Sequence, residues 1–213
     1  MERIIINKNV RGFVKNSAFE VIEKLAKNNN GYIIAQMITE LKIHRGYLKE
    51  MMDNGKLEKV TRGVYIIKEL TPDKFYALSL RCPRIIFCEL TALFLLGLIK
   101  ECPKKYDIAV NANYHDEALV KNYHLVKCYP NILEIGARTV ITPFGKEVKC
   151  YDTERCICDL IRFRKRFDLK IIKEVLNKYI KSEDKNIEKL YEYASKLRVL
   201  KELKRIMELY IED

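Results

Sequence analysis

Gly31–Ile67 reads GYIIAQMITELKIHRGYLKEMMDNGKLEKVTRGVYII, and this stretch decides the fold of the first part of the chain. Two short helical segments, Ala35 to Leu41 and Arg45 to Asp53, flank the turn Lys42-Ile43, and Asn54-Gly55 stops the second. Lys56-Leu57-Glu58-Lys59-Val60 then alternates polar and apolar, and Val64-Tyr65-Ile66-Ile67 is rich in β-formers. Thr61-Arg62-Gly63 is short enough to join two strands as a hairpin, with Gly63 free to take a positive φ. Helix, turn, helix and ribbon is the layout of a winged helix-turn-helix, a module that sets its second helix in the DNA major groove. Ile34, Ile38, Leu41, Ile43, Leu48, Met51 and Met52 are expected to close its small core. Arg45, Tyr47, Lys49 and Glu50 fall largely on the other side of the second helix.

Upstream, Asn16 or Ser17 is expected to cap a first helix whose apolar face is Phe19, Val21, Ile22, Leu25 and Ala26. Asn28-Asn29-Asn30-Gly31 ends it, a run of poor helix formers. Downstream, Thr71-Pro72 opens a helix over Asp73 to Leu80, and a domain boundary is expected near Lys68–Thr71. The remainder reads as mixed α/β. Ile85–Phe87, Tyr106–Val110, Leu125–Tyr129, Thr139–Thr142 and Lys146–Tyr151 have strand character. Leu90–Leu96 reads as a buried helix closed by Gly97, and Pro143-Phe144-Gly145 as a turn. From Asp152 the period becomes helical, with caps at Asp152, Asp168 and Asn186 and a last helix carrying Val199 to Tyr210. The expected class is therefore α+β. A winged helix-turn-helix domain at residues 1–70 precedes a mixed α/β domain at 71–213 that ends in a helical tail.

The net charge of +11 on 213 residues narrows the partners. A globular chain this basic is commonly matched to a polyanion, with solubility as the plainer explanation. Met1-Glu2-Arg3-Ile4-Ile5-Ile6-Asn7 has too short an apolar run for a secretory leader, which needs about seven or more such residues. Ile85–Ile99 is interrupted by Glu89 and falls short of the roughly 20 residues of a membrane span. Seven cysteines are then expected to be reduced thiols in a cytoplasm, with no membrane partner.

Three groups of residues could carry chemistry. In the winged helix, Arg45 and Lys49 lie four apart on one helical face beside Tyr47. Arginine reads guanine edges with paired hydrogen bonds, and lysine neutralises phosphates. His44 at the helix start, with Lys56, Lys59 and Arg62 on the ribbon, would add backbone contacts. The alternative is a protein-docking winged helix whose charges are merely solvated. The second group is RCICDLIRFRKR, Arg155 to Arg166. Asp159 can form a ladder with Arg155 and Arg162 on one face, and Arg162, Arg164, Lys165 and Arg166 gather at the helix C-terminus. Dipole complementation accounts for part of that charge, and an acidic surface or polyanion is the functional alternative. The third group, Cys150, Cys156 and Cys158, lacks paired C-x-x-C spacing, so buried apolar thiols are expected and no metal. His115 and His124 stand apart from any ligand pattern. No phosphate loop, nucleophile elbow or metalloprotease motif occurs, and the carboxylates are scattered, so no enzyme and no cofactor is expected.

The order GYI…RGYLKEMMDNGKLEKVTRGVY, then ELTALFLLGL, then TVITPFGKEVKCYDTERCICDLIRFRKRFD resembles the AbiEi antitoxins of type IV toxin–antitoxin systems, the abortive-infection AbiE type. The likeness runs from about Gly31 to the final helices, and RCICDLIRFRK, Arg155 to Lys165, is its most specific part. The resemblance implies a winged helix that represses its own promoter at inverted repeats. It also implies a C-terminal domain that antagonises a nucleotidyltransferase-like toxin without a stable complex. A monomer in solution that binds cooperatively on DNA goes with this reading. Arg45, Tyr47, Lys49, Lys59 and Arg62 become the operator-binding candidates, and Arg155, Asp159, Arg162, Arg164 and Lys165 those of the antitoxin function. The first thirty residues, with Arg3, Lys8, Arg11 and Lys15, exceed the core pattern and read as a DNA-contacting arm or a packing element. Two other readings remain open: a nuclease-like enzyme docked by its winged helix, and a plain winged-helix regulator or interaction module.

Overall fold

In the computed structural model, which describes residues 11–211, the chain forms two compact units, Met1–Pro83 and Arg84–Asp213. The basic arm expected at Arg3 and Lys8 lies outside the described residues, while Arg11 and Lys15 fall in the first helix.

That helix, α1 (Arg11–Asn28), starts upstream of the cap expected at Asn16 or Ser17. Serine and asparagine are only mildly unfavourable inside a helix, so a local capping signal is readily overridden. The end is as expected. Asn30 and Gly31 take positive φ of 55° and 87°, and Gly31 N–H closes the last turn on the Ala26 carbonyl at 2.7 Å. Strand β1 (Tyr32–Ile34) leads directly into α2 (Ala35–Glu40), and α3 (Gly46–Asp53) follows the turn. Strands β2 (Leu57–Thr61) and β3 (Val64–Ile67) then form the ribbon, with Arg62-Gly63 at its tip. The sheet is antiparallel in the order β1-β3-β2.

Its two faces have separate apolar partners. On one, Ile33 and Leu57 join Ile22 and Ala26 of α1, Ile38 of α2, and Leu48 and Met51 of α3. Leu41, expected in this core, is instead 51% exposed. It follows the last residue of α2, where the chain has already turned away from the core. On the other face, Tyr32, Val64 and Ile66 pack with Ala77 of α4 (Lys74–Arg81). Asp73 caps α4 by accepting from Phe75 and Tyr76 N–H, and its own N–H donates to the Tyr32 hydroxyl at 2.7 Å. A sheet apolar on both faces needs cover on both. Hence α4 completes the first unit, and the division falls after Pro83 and not near residue 70.

The second unit holds a five-stranded sheet in the order β6-β5-β4-β8-β7. Its strands are β4 (Ile86–Phe87), β5 (Asp107–Asn111), β6 (His124–Cys128), β7 (Ala137–Ile141) and β8 (Glu147–Tyr151). β5–β6 and β4–β8 are parallel, while β4–β5 and β7–β8 are antiparallel. Helix α5 (Glu89–Leu95) follows β4, and two short helices not foreseen from the sequence, α6 (Glu117–Asn122) and α7 (Pro130–Leu133), flank β6. Helix α8 (Thr153–Arg162) runs through the core, with every residue from Glu154 to Ile161 buried. A 3-10 turn (Arg164–Arg166), α9 (Leu169–Lys181), α10 (Ile187–Lys196) and α11 (Leu200–Ile211) make the helical tail. Asp152, Asp168 and Asn186 cap α8, α9 and α10 as their positions predict. No helix among the described residues is long and apolar enough to cross a membrane.

Candidate functional site

Burial sorts the seven side chains singled out in the winged helix. Leu48 and Met51 face the core, so Lys49 is turned outward on α3 and Asp53 is exposed one turn later. Arg45 precedes the first helical residue. Its Nε donates to the Thr39 hydroxyl at 2.7 Å, and that hydroxyl donates to the Ala35 carbonyl at 3.1 Å. This chain fixes the guanidinium at the mouth of the helix-turn-helix through Nε alone. The two terminal amino groups, which grip a guanine edge, are left for other partners. His44 stands in for the missing cap of α3, because its Nδ1 accepts from Gly46 N–H at 3.1 Å. Such an acceptor role requires the Nε2–H tautomer of the neutral ring.

Tyr47 does not belong to the exposed face. It packs edge-on against Phe19 of α1, ring centroids 5.8 Å apart, and seals the rim of the core. Lys56 is engaged too, by Glu23 of α1 at 2.7 Å. Lys59 and Arg62 are exposed on the wing. Gly63 holds a φ of 77° at the wing's turn, and its carbonyl accepts from Ala35 N–H at 2.8 Å, which ties the turn to the start of α2. Arg45, Lys49, Lys59 and Arg62 thus form the outward basic set, with His44 at its edge. Thr39, which orients Arg45, was not legible as functional, since a threonine in a short helix carries no signal until its neighbour across the turn is known.

The motif of the second unit is divided between interior and surface. Arg155 is 1% exposed, and Asp159 is also buried. Arg155 Nε donates to Asp159 Oδ2 at 2.9 Å, and Nη1 donates to the carbonyls of Ile132 and Ile135 at 2.7 and 2.8 Å. The guanidinium lies 4.1 Å from the centroid of the Tyr151 ring, whose hydroxyl donates to the Leu133 carbonyl at 2.8 Å. Arginine and tyrosine together satisfy the polar end of α7, so the pair staples α8 to the segment after β6. Gly136 lets the two approach: at its φ of 77° a Cβ would meet Arg155 Cβ at 2.5 Å. The expected ladder is therefore an internal brace, not an exposed face. Its third rung is missing, as Arg162 only attracts Asp159 through space. Burial pushes the Asp159 carboxyl up and Arg155 pulls against it, while its Oδ1 has no hydrogen-bond partner among the described residues. Arg162, Arg164 and Lys165 are exposed.

Cys150, Cys156 and Cys158 are buried free thiols, and burial pushes the Cys150 and Cys158 thiols up to about 12. A polar cluster foreseen by none of the motifs lies elsewhere in this unit. Glu89, buried at the start of α5 with φ 45°, receives a two-pronged contact from Arg166, Nη1 to Oε1 at 3.1 Å and Nη2 to Oε2 at 3.0 Å. Asp107 opens β5 directly opposite His124, which opens β6, and their side chains meet at 2.8 Å. Burial pushes Glu89 up to about 7 against the pull of Arg166. The signal was present in a weak form: two apolar runs each begin with a polar, titratable residue. Only parallel pairing in register brings those two residues together.

Residues 20–68 match the family model described as a transcriptional regulator, AbiEi antitoxin. Over that segment the chain is similar to the AbiEi antitoxin regulators. The matched residues run from α1 to the end of the wing, so this likeness concerns the winged helix. The fold is similar to the crystal structure of the RV2827C protein from Mycobacterium tuberculosis, with a TM-score of 0.52 and 14% identity over 84% of this chain and 75% of that chain. At that identity the likeness concerns fold alone. No curated relative matches the chain.

Proposed function

We propose that this chain is an AbiEi regulator, the antitoxin of a type IV system that represses its own operon by binding inverted repeats in the promoter. The observation that carries the DNA half is the Arg45–Thr39–Ala35 chain, which pre-orients a guanidinium beside the outward Lys49. A side chain held in its binding geometry loses little entropy on binding. In this reading Arg45 reads a base edge, Lys49 supports it in the groove, and Lys59 and Arg62 of the wing grip phosphates on either side. The antitoxin half rests on the exposed Arg162, Arg164 and Lys165, which antagonise a nucleotidyltransferase-like toxin without a lasting complex. Arg155 and Asp159 contribute by holding α8 in place. The chain acts as a monomer in solution, binds cooperatively on DNA, and has no enzymatic activity of its own.

The test is fluorescence anisotropy on the promoter with wild type and the Arg45→Ala/Lys49→Ala double variant, alongside a toxin-rescue assay. Loss of specific binding with rescue intact supports both halves. Unchanged specific binding by the folded double variant overturns the assignment of α3.

A further inference from the structure

We propose that Glu89, Asp107 and His124 form a site for a first-row divalent cation, Zn2+ or Mn2+, which binds by displacing the Arg166 guanidinium. Oxygen and nitrogen atoms of these three residues all lie within 4.8 Å of one another. Ligand atoms about 2.1 Å from a tetrahedral ion stand roughly 3.4 Å apart. His124 Nδ1 is 2.8 Å from Asp107 Oδ1 and 3.7 Å from Glu89 Oε2, which brackets that spacing. One imidazole and two carboxylates is a donor set suited to these ions.

The ligands are also held by their own partners. Asp107 Oδ2 accepts from both Thr91 N–H and the Thr91 hydroxyl, at 3.3 and 3.4 Å, and Asp107 N–H donates back to that hydroxyl at 2.7 Å. This leaves Oδ1 turned to His124. Such supporting contacts fix ligand geometry at metal sites. The two carboxylates are nearly buried, whereas the His124 side chain is 45% exposed, so an ion has a way in.

The observation that singles out this cluster is that it already holds a cation from another element. Arg166 Nη2 sits 3.0 Å from Glu89 Oε2 and 2.9 Å from His124 Nε2. A neutral His124 that donates from Nδ1 to Asp107 has an acceptor at Nε2, which the guanidinium uses. An ion taking Nδ1 moves the ring proton to Nε2, with no net proton lost. The ring then faces Arg166 with a donor, and the Glu89 charge is spent on the ion. Guanidinium and metal therefore exclude each other. Arg166 is 41% exposed along its side chain and can swing out without unfolding the unit. Released, it adds a fourth cation to the exposed Arg162, Arg164 and Lys165.

The experiment titrates Zn2+ and Mn2+ into the full chain by calorimetry, and reads Co2+ ligand-field absorption as a spectroscopic signature. One ion per chain is expected, with affinity at least tenfold higher in Arg166→Ala and at least tenfold lower in His124→Ala. His115→Ala and Cys102→Ser should leave both readouts unchanged. Because Arg166→Ala leaves the buried Glu89 carboxylate without its cation, its melting temperature should fall and be restored by the ion. His124→Ala removes a half-exposed ring and serves as the decisive variant, with its fold checked by circular dichroism. Equal binding by wild type and His124→Ala, or no stoichiometric binding by Arg166→Ala, overturns the proposal.

Discussion

The winged helix and helix α8 use the same residue types to opposite ends. In the first, Arg45 spends one nitrogen on Thr39 and stands with Lys49, Lys59 and Arg62 on the outside. In the second, Arg155 spends Nε and Nη1 on Asp159 and two backbone carbonyls and has almost no surface left. An exposed arginine costs little stability to remove and keeps donors free for a partner. A buried one holds the fold, and its removal leaves an acid and two carbonyls uncompensated. What separates the two is how many of the arginine's donors its own chain takes up.

The sharpest way to break that comparison is at Arg155. Arg155→Ala should destabilise the second unit by about 3–5 kcal/mol, because it leaves Asp159 as an unpaired buried charge. Urea unfolding read by circular dichroism checks this, and a loss below 1 kcal/mol would contradict the brace. Arg155→Lys should recover only a fraction, since an ammonium cannot span Asp159, Ile132 and Ile135 together.

Next in size is the double variant Arg45→Ala/Lys49→Ala. Each base-reading contact should be worth about 1–3 kcal/mol, or roughly 5- to 150-fold in affinity, with stability unchanged. Salt dependence sharpens the test: replacing Lys59 or Arg62 alone should lower the slope of log affinity against log salt by about one phosphate contact.

Gly136→Ala comes next. Its Cβ would collide with Arg155 and Asp152 at a φ unfavourable for alanine, so about 1–3 kcal/mol should be lost from the second unit. Operator binding at protein concentrations where the variant stays folded should be unaffected. Alanine at Arg162, Arg164 and Lys165 together should shift unfolding by only about 0.5 kcal/mol per residue or less, yet weaken toxin rescue. If rescue survives intact, the antitoxin function lies on another surface.

The smallest effect belongs to Lys56. Its pair with Glu23 is exposed on both sides, and such pairs contribute about 0–1 kcal/mol. Lys56→Ala should leave both stability and operator affinity near wild type. A tenfold loss of affinity would return Lys56 to the DNA-contacting set, where its position on the ribbon had first put it.

The local code was legible wherever it was dense. Asp152, Asp168 and Asn186 each cap the helix their position predicts, and the turn expected over Thr61-Arg62-Gly63 closes the wing, with Thr61 drawn into β2. The motif around Arg155 was also visible, but its role was not. An Arg and an Asp four apart read as a solvated ladder by spacing alone, and spacing is blind to what covers the helix. Asp107 and His124, seventeen residues apart, carry no mutual signal in sequence.

By itself, then, the amino-acid order determined most of the elements, the caps at Asp152, Asp168 and Asn186, and the winged-helix layout with its basic excess. These follow from interactions between residues a few positions apart. Tertiary structure alone decided three things: that α4 belongs to the first unit, that Arg155 points inward while Arg45 points outward, and that Glu89, Asp107, His124 and Arg166 meet. Each depends on which apolar face finds which cover, and on strand pairing across long separations. Only the packed chain settles those.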